Sequence, residues 1–178
     1  MTDVDFRCLT GRAAAEVLSA EYVDLYVAAY AEWPYLSGPL YSPERYAERT
    51  SRQVMQDSFV LVSARSRGRL VGFSFGLRFG AGLWWGGEAA PAPPEVVEPP
   101  KFAVIELDVA GTHRGRGIGR RLLETLLAQQ SAPYATLLAD PDAPAHAMYQ
   151  RWGWQVVGPV RAAPDARTYD ALVLDLNR

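Results

Sequence analysis

The chain has 178 residues, 49% of them hydrophobic and 21% charged, and its 18 basic and 20 acidic side chains leave a net charge of −2. That length and balance fit one soluble globular domain over residues 1–178, with room for a core and a ligand cleft. The slight negative charge excludes a coat for nucleic acid. The longest stretch without Asp, Glu, Lys or Arg, residues 125–139, is interrupted by Gln, Ser and Pro and falls short of the ~18 apolar residues of a membrane span. No secretory or lipidation signal opens the chain. A single cysteine, Cys8, and two distant histidines, His113 and His146, offer neither a disulfide framework nor a metal cluster. The expectation is a cytoplasmic protein with no metal, no nucleic-acid partner and no membrane contact. The basic residues are unevenly chosen: seventeen arginines and one lysine, Lys101.

In chain order, the apolar spacing of Ala14, Val17, Leu18, Tyr22, Leu25, Tyr26 and Ala29 predicts one amphipathic helix over residues 10–31, ending at Trp33-Pro34. Ser42-Pro43-Glu44 reads as a capped helix start, running to about Met55. Residues 58–66 and 69–79 are rich in β-branched and aromatic side chains and predict two strands joined at Arg67-Gly68. Nine of the 21 residues from 80 to 100 are Gly or Pro, which predicts a long loop carrying Trp84 and Trp85, either a lid or an insertion. Beyond it come a strand over 101–110, a helix over 117–130 and a strand over 134–139. A short helix over 144–153 and two closing strands complete the chain. The helix over 117–130 divides cleanly, with Ile118, Leu122, Leu123, Leu126 and Leu127 inward and Arg120, Arg121, Glu124 and Gln129 outward. Alternating strands and helices indicate an α/β or mixed sheet.

Chemistry concentrates at Arg114-Gly115-Arg116-Gly117-Ile118-Gly119, between a strand and an apolar-periodic helix. The first amides of a helix have no partner within it and point outward at the positive end of its dipole, so strand, glycine turn and helix form an anion-binding arrangement. The dipole contributes about 0.3–1 kcal/mol and each hydrogen bond to a charged oxygen about 1.5–3 kcal/mol; several amides together therefore dominate. A P-loop would need Gly-Lys followed by Ser or Thr, which the only lysine, at 101, excludes. The spacing Gly115-x-Gly117-x-Gly119 also fits a dinucleotide fingerprint poorly. The alternative is a turn whose glycines only permit tight packing.

The stretch ELDVAGTHRGRGIGRRLLETLL resembles the coenzyme A-binding signature of the GNAT N-acetyltransferase superfamily, with Arg114, Gly117 and Gly119 matching. Some thirty residues on, DPDAPAHAMYQRWGWQVVG resembles that family's second signature through Ala145, Tyr149, Gly153 and Trp154, with Asp142 where Asn is usual and Trp154 where Phe is usual. The resemblance implies a mixed α+β fold: a central, largely antiparallel sheet of six to seven strands flanked by about four helices. It implies acetyl-coenzyme A as co-substrate, with the backbone of Leu107, Asp108 and Val109 pairing with the pantetheine. The amides of Gly115, Arg116, Gly117, Ile118, Gly119 and Arg120, together with Arg114, would hold the pyrophosphate. Asp142 would be a further coenzyme contact, although a carboxylate cannot donate the hydrogen bond an Asn amide can. A homodimer is implied by the resemblance alone.

The activity so implied is transfer of an acetyl group to a primary amine by direct attack. An ammonium of pKa about 10.4 is neutral in about one part in 2,500 at pH 7, a deficit of about 4.6 kcal/mol. A base would offset it. Glu106 is the candidate, with Asp108, on the same strand face, as the weaker rival; a structural salt bridge is the plain alternative for Glu106. Tyr149 would be the general acid toward the departing thiolate, against the plain reading of a core tyrosine. Cys8 has no partners for nucleophilic catalysis, and His113 reads as a solvated loop residue. Trp33 and Tyr35, after the first helix, and Trp84 and Trp85, in the loop, are candidates for an aromatic wall around the acceptor. A small-molecule amine is the expected acceptor, a protein N-terminus or lysine the alternative. The rival function is a coenzyme A-binding sensor or partner-binding module without turnover; a longer acyl donor would keep catalysis.

Overall fold

The computed structural model of the chain describes residues 4–177. Among the described residues eight strands form one mixed sheet in the order β1-β2-β3-β5-β6-β8-β7-β4, one strand more than the upper end of the expected six to seven. The additional elements are β1 (Val4–Thr10) and the two-residue β4 (Glu88–Ala89). Strand β1 pairs on one side only, with β2, and most of its side chains are exposed; the alternation of Val4, Phe6 and Cys8 with Asp5 and Arg7 is a short signal that sequence reading missed.

The chain divides into two compact units. The first takes the residues up to Leu77 and Val104–Gln130. It contains β1, α1 (Ala20–Tyr30), α2 (Pro43–Gln53), β2 (Val60–Ser66), most of β3 (Arg69–Phe79), the second part of β5 (Lys101–Val109) and α4 (Ile118–Leu127). The predicted 10–31 helix is interrupted. A 3-10 segment, Gly11–Leu18, precedes Ser19, whose extended backbone (φ −71°, ψ 158°) caps the start of α1. The inward register survives the break, since Ala14, Val17, Tyr22 and Tyr26 are all fully buried. Helix α2 starts as predicted: Pro43 occupies its first turn and the Ser42 hydroxyl accepts from the Arg45 amide at 3.2 Å. Strands β2 and β3 pair antiparallel around Arg67-Gly68, both at positive φ, the backbone of a tight hairpin. Helix α4 buries Ile118, Leu122, Leu123 and Leu126, with Leu127 half-buried.

The second unit takes Arg78–Ala103 and the chain from Ser131 onward. The start of β5, Lys101–Ala103, pairs parallel with β6 (Tyr134–Ala139), which pairs antiparallel with β8 (Tyr169–Asp175), itself antiparallel to β7 (Gln155–Arg161). Helix α5 is Pro144–Arg151. The Gly- and Pro-rich segment 80–100 is not without structure: β4 pairs with Val160 and Arg161 of β7, and Pro94–Val97 forms one helical turn, α3. Its anchor is Lys101. The side chain is fully buried, and its ammonium donates to the carbonyls of Leu83 at 2.5 Å, Val97 at 2.8 Å and Gly80 at 3.5 Å. Three donors on a compact head meet three backbone acceptors; the Gly80 and Val97 carbonyls also accept from the Leu83 and Gly82 amides, at 3.1 and 2.9 Å.

Among the described residues no helix is long and apolar enough to cross a membrane, and no group of three His, Cys, Asp or Glu side chains is placed to hold a metal ion.

Candidate active site

The chemistry of the first unit gathers on β5. Glu106 and Asp108, two residues apart, are each 5% exposed. Helix α1 presents Tyr26 and Tyr30 one turn apart, and the Tyr30 hydroxyl donates to Glu106 Oε2 at 2.8 Å. From α2, Arg49 Nη2 donates to Glu106 Oε1 at 2.7 Å, and it lies 3.5 Å from the Tyr26 hydroxyl. The Ser74 hydroxyl of β3 donates to the Glu106 carbonyl at 2.7 Å and fixes the strand beneath the side chain. Both Glu106 oxygens therefore have partners. Asp108 Oδ2 is buried with none among the described residues, as is Arg49 Nε.

These environments separate the two carboxyls. Burial raises the pKa of Glu106, but the Arg49 guanidinium and then the Tyr30 hydrogen bond pull it back. Burial, reinforced by the charge of Glu106, holds Asp108 well above the ordinary carboxyl range, with Arg49 and Arg114 opposing it less effectively. One guanidinium cannot neutralise two buried carboxylates. Arg49 and Tyr30 therefore favour the charged form of Glu106 more than that of Asp108, whose proton is held the more tightly.

At the end of β5 comes the glycine turn. Gly115 and Gly117 sit at φ 72° and 77°, conformations that side chains disfavour, and a Cβ at either would meet nothing within 4 Å. Tight packing therefore does not explain these glycines; backbone shape does, and the space before them is open. Gly117 precedes α4, whose first intrahelical bond runs from the Arg121 amide to the Gly117 carbonyl at 3.0 Å. The helix supplies no partner for the amides of Ile118, Gly119 and Arg120, and Gly117 at the cap position has no side chain to offer them. The arginines around this turn, Arg116 excepted, have partners of their own. Arg114 turns back, its Nε donating to the Val109 carbonyl at 3.0 Å and its Nη1 pairing with Glu32. Arg120 pairs with Glu124 at 2.8 Å, and Arg121 lies over the Phe6 ring at 4.4 Å. Arg116 is exposed and has none of these ties. Leu107, Asp108 and Val109 lie beyond the three-residue ladder that β5 forms with β6.

The remaining predicted residues fall into both units. In the first, Trp33 is 61% exposed, while Tyr35 packs into a cluster with Tyr30 (4.7 Å between ring centres) and Tyr41 (5.3 Å). In the second, Trp85 stands edge-on to Phe79 at 5.0 Å and donates its indole N–H to Thr136 at 3.0 Å, a packed residue; Trp84 is half-buried. Tyr149 on α5 is buried, its ring 6.0 Å from those of Trp152 and Trp154. Asp142 is held by Arg167, which donates to it at 2.6 Å and to the buried Asp140 at 2.5 Å. Sequence reading missed Tyr30, Tyr41 and Arg49. Tyr30 stands four residues after Tyr26, a signal that was available; nothing distinguishes Arg49 from the other charges of a polar helix.

A strand, an open glycine turn and a helix whose first amides lack intrahelical partners follow one another in a mixed α+β fold. The chain belongs to the Acetyltransferase (GNAT) family, whose match spans residues 22–154. No curated protein matches it. Among solved structures it is similar to PaiA N-acetyltransferase from Thermoplasma acidophilum in complex with coenzyme A, at 14% identity and TM-score 0.63 over 97% of this chain and 99% of that one. It is similar to Arabidopsis thaliana NAA60 in complex with a bisubstrate analogue, at 17% identity and TM-score 0.65 over 98% and 100%. An aminoglycoside acetyltransferase from an uncultured soil metagenomic sample shares 22% identity at TM-score 0.56 over 85% and 91%. At these identities the likeness is one of fold.

Proposed function

We propose that this protein transfers an acetyl group from acetyl-coenzyme A to a primary amine of a small molecule. The observation that carries the reading is the open turn at Gly115 and Gly117 followed by uncapped α4 amides, in a chain of this family. The residues fit the coenzyme: unpartnered amides receive phosphate oxygens, and the backbone of Leu107–Val109 is the proposed partner of the pantetheine amides. With Arg114, Arg120 and Arg121 engaged by the protein, backbone amides rather than guanidinium heads are the proposed phosphate ligands, with Arg116 the remaining positive side chain. When bound, acetyl-coenzyme A supplies the activated thioester.

In this reading Glu106 takes up the proton that the amine must lose, and Arg49 keeps it ionised to do so. Tyr149 gives a proton to the departing sulfur. Asp142, already held by Arg167, has no free role as a hydrogen-bond donor toward the coenzyme, so the position where Asn is usual serves here to fix the turn before α5. In a binder without turnover the Arg49–Glu106 pair would serve structure alone.

Release of coenzyme A across a panel of small amines, with coenzyme binding measured separately by calorimetry, tests the activity. Release that depends on the amine is expected; tight binding without release for every amine establishes the sensor instead. Tyr149→Phe is expected to lower kcat by about 100-fold, within the range of general acid catalysis, at unchanged coenzyme affinity. Unchanged turnover removes Tyr149 from the mechanism.

A further inference from the structure

Glu106 raises a problem of access. It is 5% exposed, with one oxygen taken by Arg49 and the other by Tyr30. The groups facing it can be taken in turn. Tyr26 of α1 and Tyr46 of α2 are fully buried. Ser74 of β3 is fully buried and spends its hydroxyl on the strand carbonyl. Asp108 is as buried as Glu106 itself. Arg49 reaches the surface, its side chain 35% exposed, but a guanidinium does not give up or pass on a proton near neutral pH. Tyr30 is different: it is half-buried, it bonds directly to a Glu106 oxygen, and a phenol can accept one proton while donating another.

We propose that Tyr30 is a catalytic residue that carries the proton from the acceptor amine to Glu106. The inference rests on Glu106 being the base. The amine N–H proton passes to Tyr30 Oη as the Tyr30 hydroxyl proton passes to Glu106 Oε2. The neutral nitrogen then bonds the acetyl carbon, the carbon–sulfur bond breaks, the sulfur receives its proton from the general acid, and the second proton that the nitrogen sheds on forming the amide restores that acid through solvent. Tyr30 ends with one proton, as it began, and Glu106 ends protonated until it re-equilibrates with solvent. The two transfers must be concerted, because burial and the neighbouring carboxyls push the Tyr30 phenol well above its ordinary pKa and make a free phenolate costly. Stacking against Tyr41 at 4.4 Å and packing against Tyr35 and Tyr26 hold the ring so that its hydroxyl stays on Glu106.

The test compares Tyr30→Phe, Glu106→Gln and the double variant with two probe amines, n-butylamine and hydroxylamine. The first is almost wholly protonated at pH 7 and the second largely neutral. For butylamine each single variant is expected to lose about 100-fold in kcat/KM, the double no more than the worse single, with coenzyme affinity unchanged. For hydroxylamine the losses should shrink to a few-fold; a merely structural role would impair both amines alike. Proton inventory on the wild-type enzyme in mixtures of light and heavy water should curve, as two protons in flight require. If Tyr30→Phe turns over normally while Glu106→Gln fails, or the inventory is linear, the relay is overturned and Glu106 stands. If Glu106→Gln is fully active, or no amine provokes coenzyme A release, the underlying reading falls and the relay with it.

Discussion

Two cations, the partly buried Arg49 of the first unit and the fully buried Lys101 of the second, put the same physics to different uses. In the first, Arg49 meets a carboxylate, Glu106, at 2.7 Å. In the second, Lys101 meets only backbone carbonyls, three of them, from the segment 80–100. A guanidinium opposite a titratable group sets that group's protonation state and so bears on chemistry. An ammonium opposite carbonyls sets nothing that titrates; it holds a Gly- and Pro-rich segment in place. The near absence of lysine gains meaning here. At position 101 a compact head with three donors is needed, where the planar fork of arginine fits poorly. The bias toward arginine elsewhere has no structural explanation.

Removing each cation should break the two units in different ways. Arg49→Met leaves Glu106 buried and uncompensated, and a loss of about 3 kcal/mol is expected, at the low end for broken buried pairs because Arg49 is partly exposed. In denaturant titrations this loss should shrink as the pH falls and Glu106 protonates. Activity should fall too, with the acidic limb of kcat/KM moved to higher pH. Lys101→Met removes the ammonium donor from the Leu83 carbonyl and a second donor from those of Gly80 and Val97. A loss of about 2 kcal/mol is expected, in line with charged hydrogen bonds lost beyond the methionine's packing. Hydrogen exchange should rise across residues 80–100, while the amides of α1 and α2 keep their protection. If exchange rises equally in both units, the separation drawn between the two cations is wrong.

The elements with strong local signals were legible in the sequence. Strands β2, β3, β5 and β6 and helices α4 and α5 fall within about three residues of the reading, because their apolar periods and turn residues agree with their tertiary positions. The break at Ser19 was not, since the apolar residues on both sides continue one stripe. Nor was the fold of 80–100, which depends on a lysine that closes the segment from outside it. At the site, the glycine turn and Glu106 were legible. The use of Arg114 was not: a motif position does not reveal that its side chain folds back onto Val109 and Glu32. Arg49 and Tyr30 reach Glu106 across 57 and 76 residues of sequence, a separation that no local pattern encodes.

The smallest expected effect separates the two carboxyls. Asp108 binds its proton more tightly folded than unfolded, so across the window between its ordinary and its raised pKa the native state carries the extra proton. Stability should fall as pH rises through that window. Asp108→Asn imitates the protonated side chain. It should flatten this slope in thermal melts and stabilise the protein slightly at neutral pH. If Asp108 were the working base, the same variant would abolish turnover; here it should leave most of it.

The account depends most on which carboxyl carries the charge. Titration of the side-chain carboxyl carbons by carbon-13 NMR, assigned with Glu106→Gln and Asp108→Asn, measures this directly. As pH rises through the first deprotonation of the pair, the account predicts that the Glu106 resonance moves while Asp108 stays protonated, titrating only in the second step. An Asp108 resonance that moves first, with Glu106 still protonated, would contradict it.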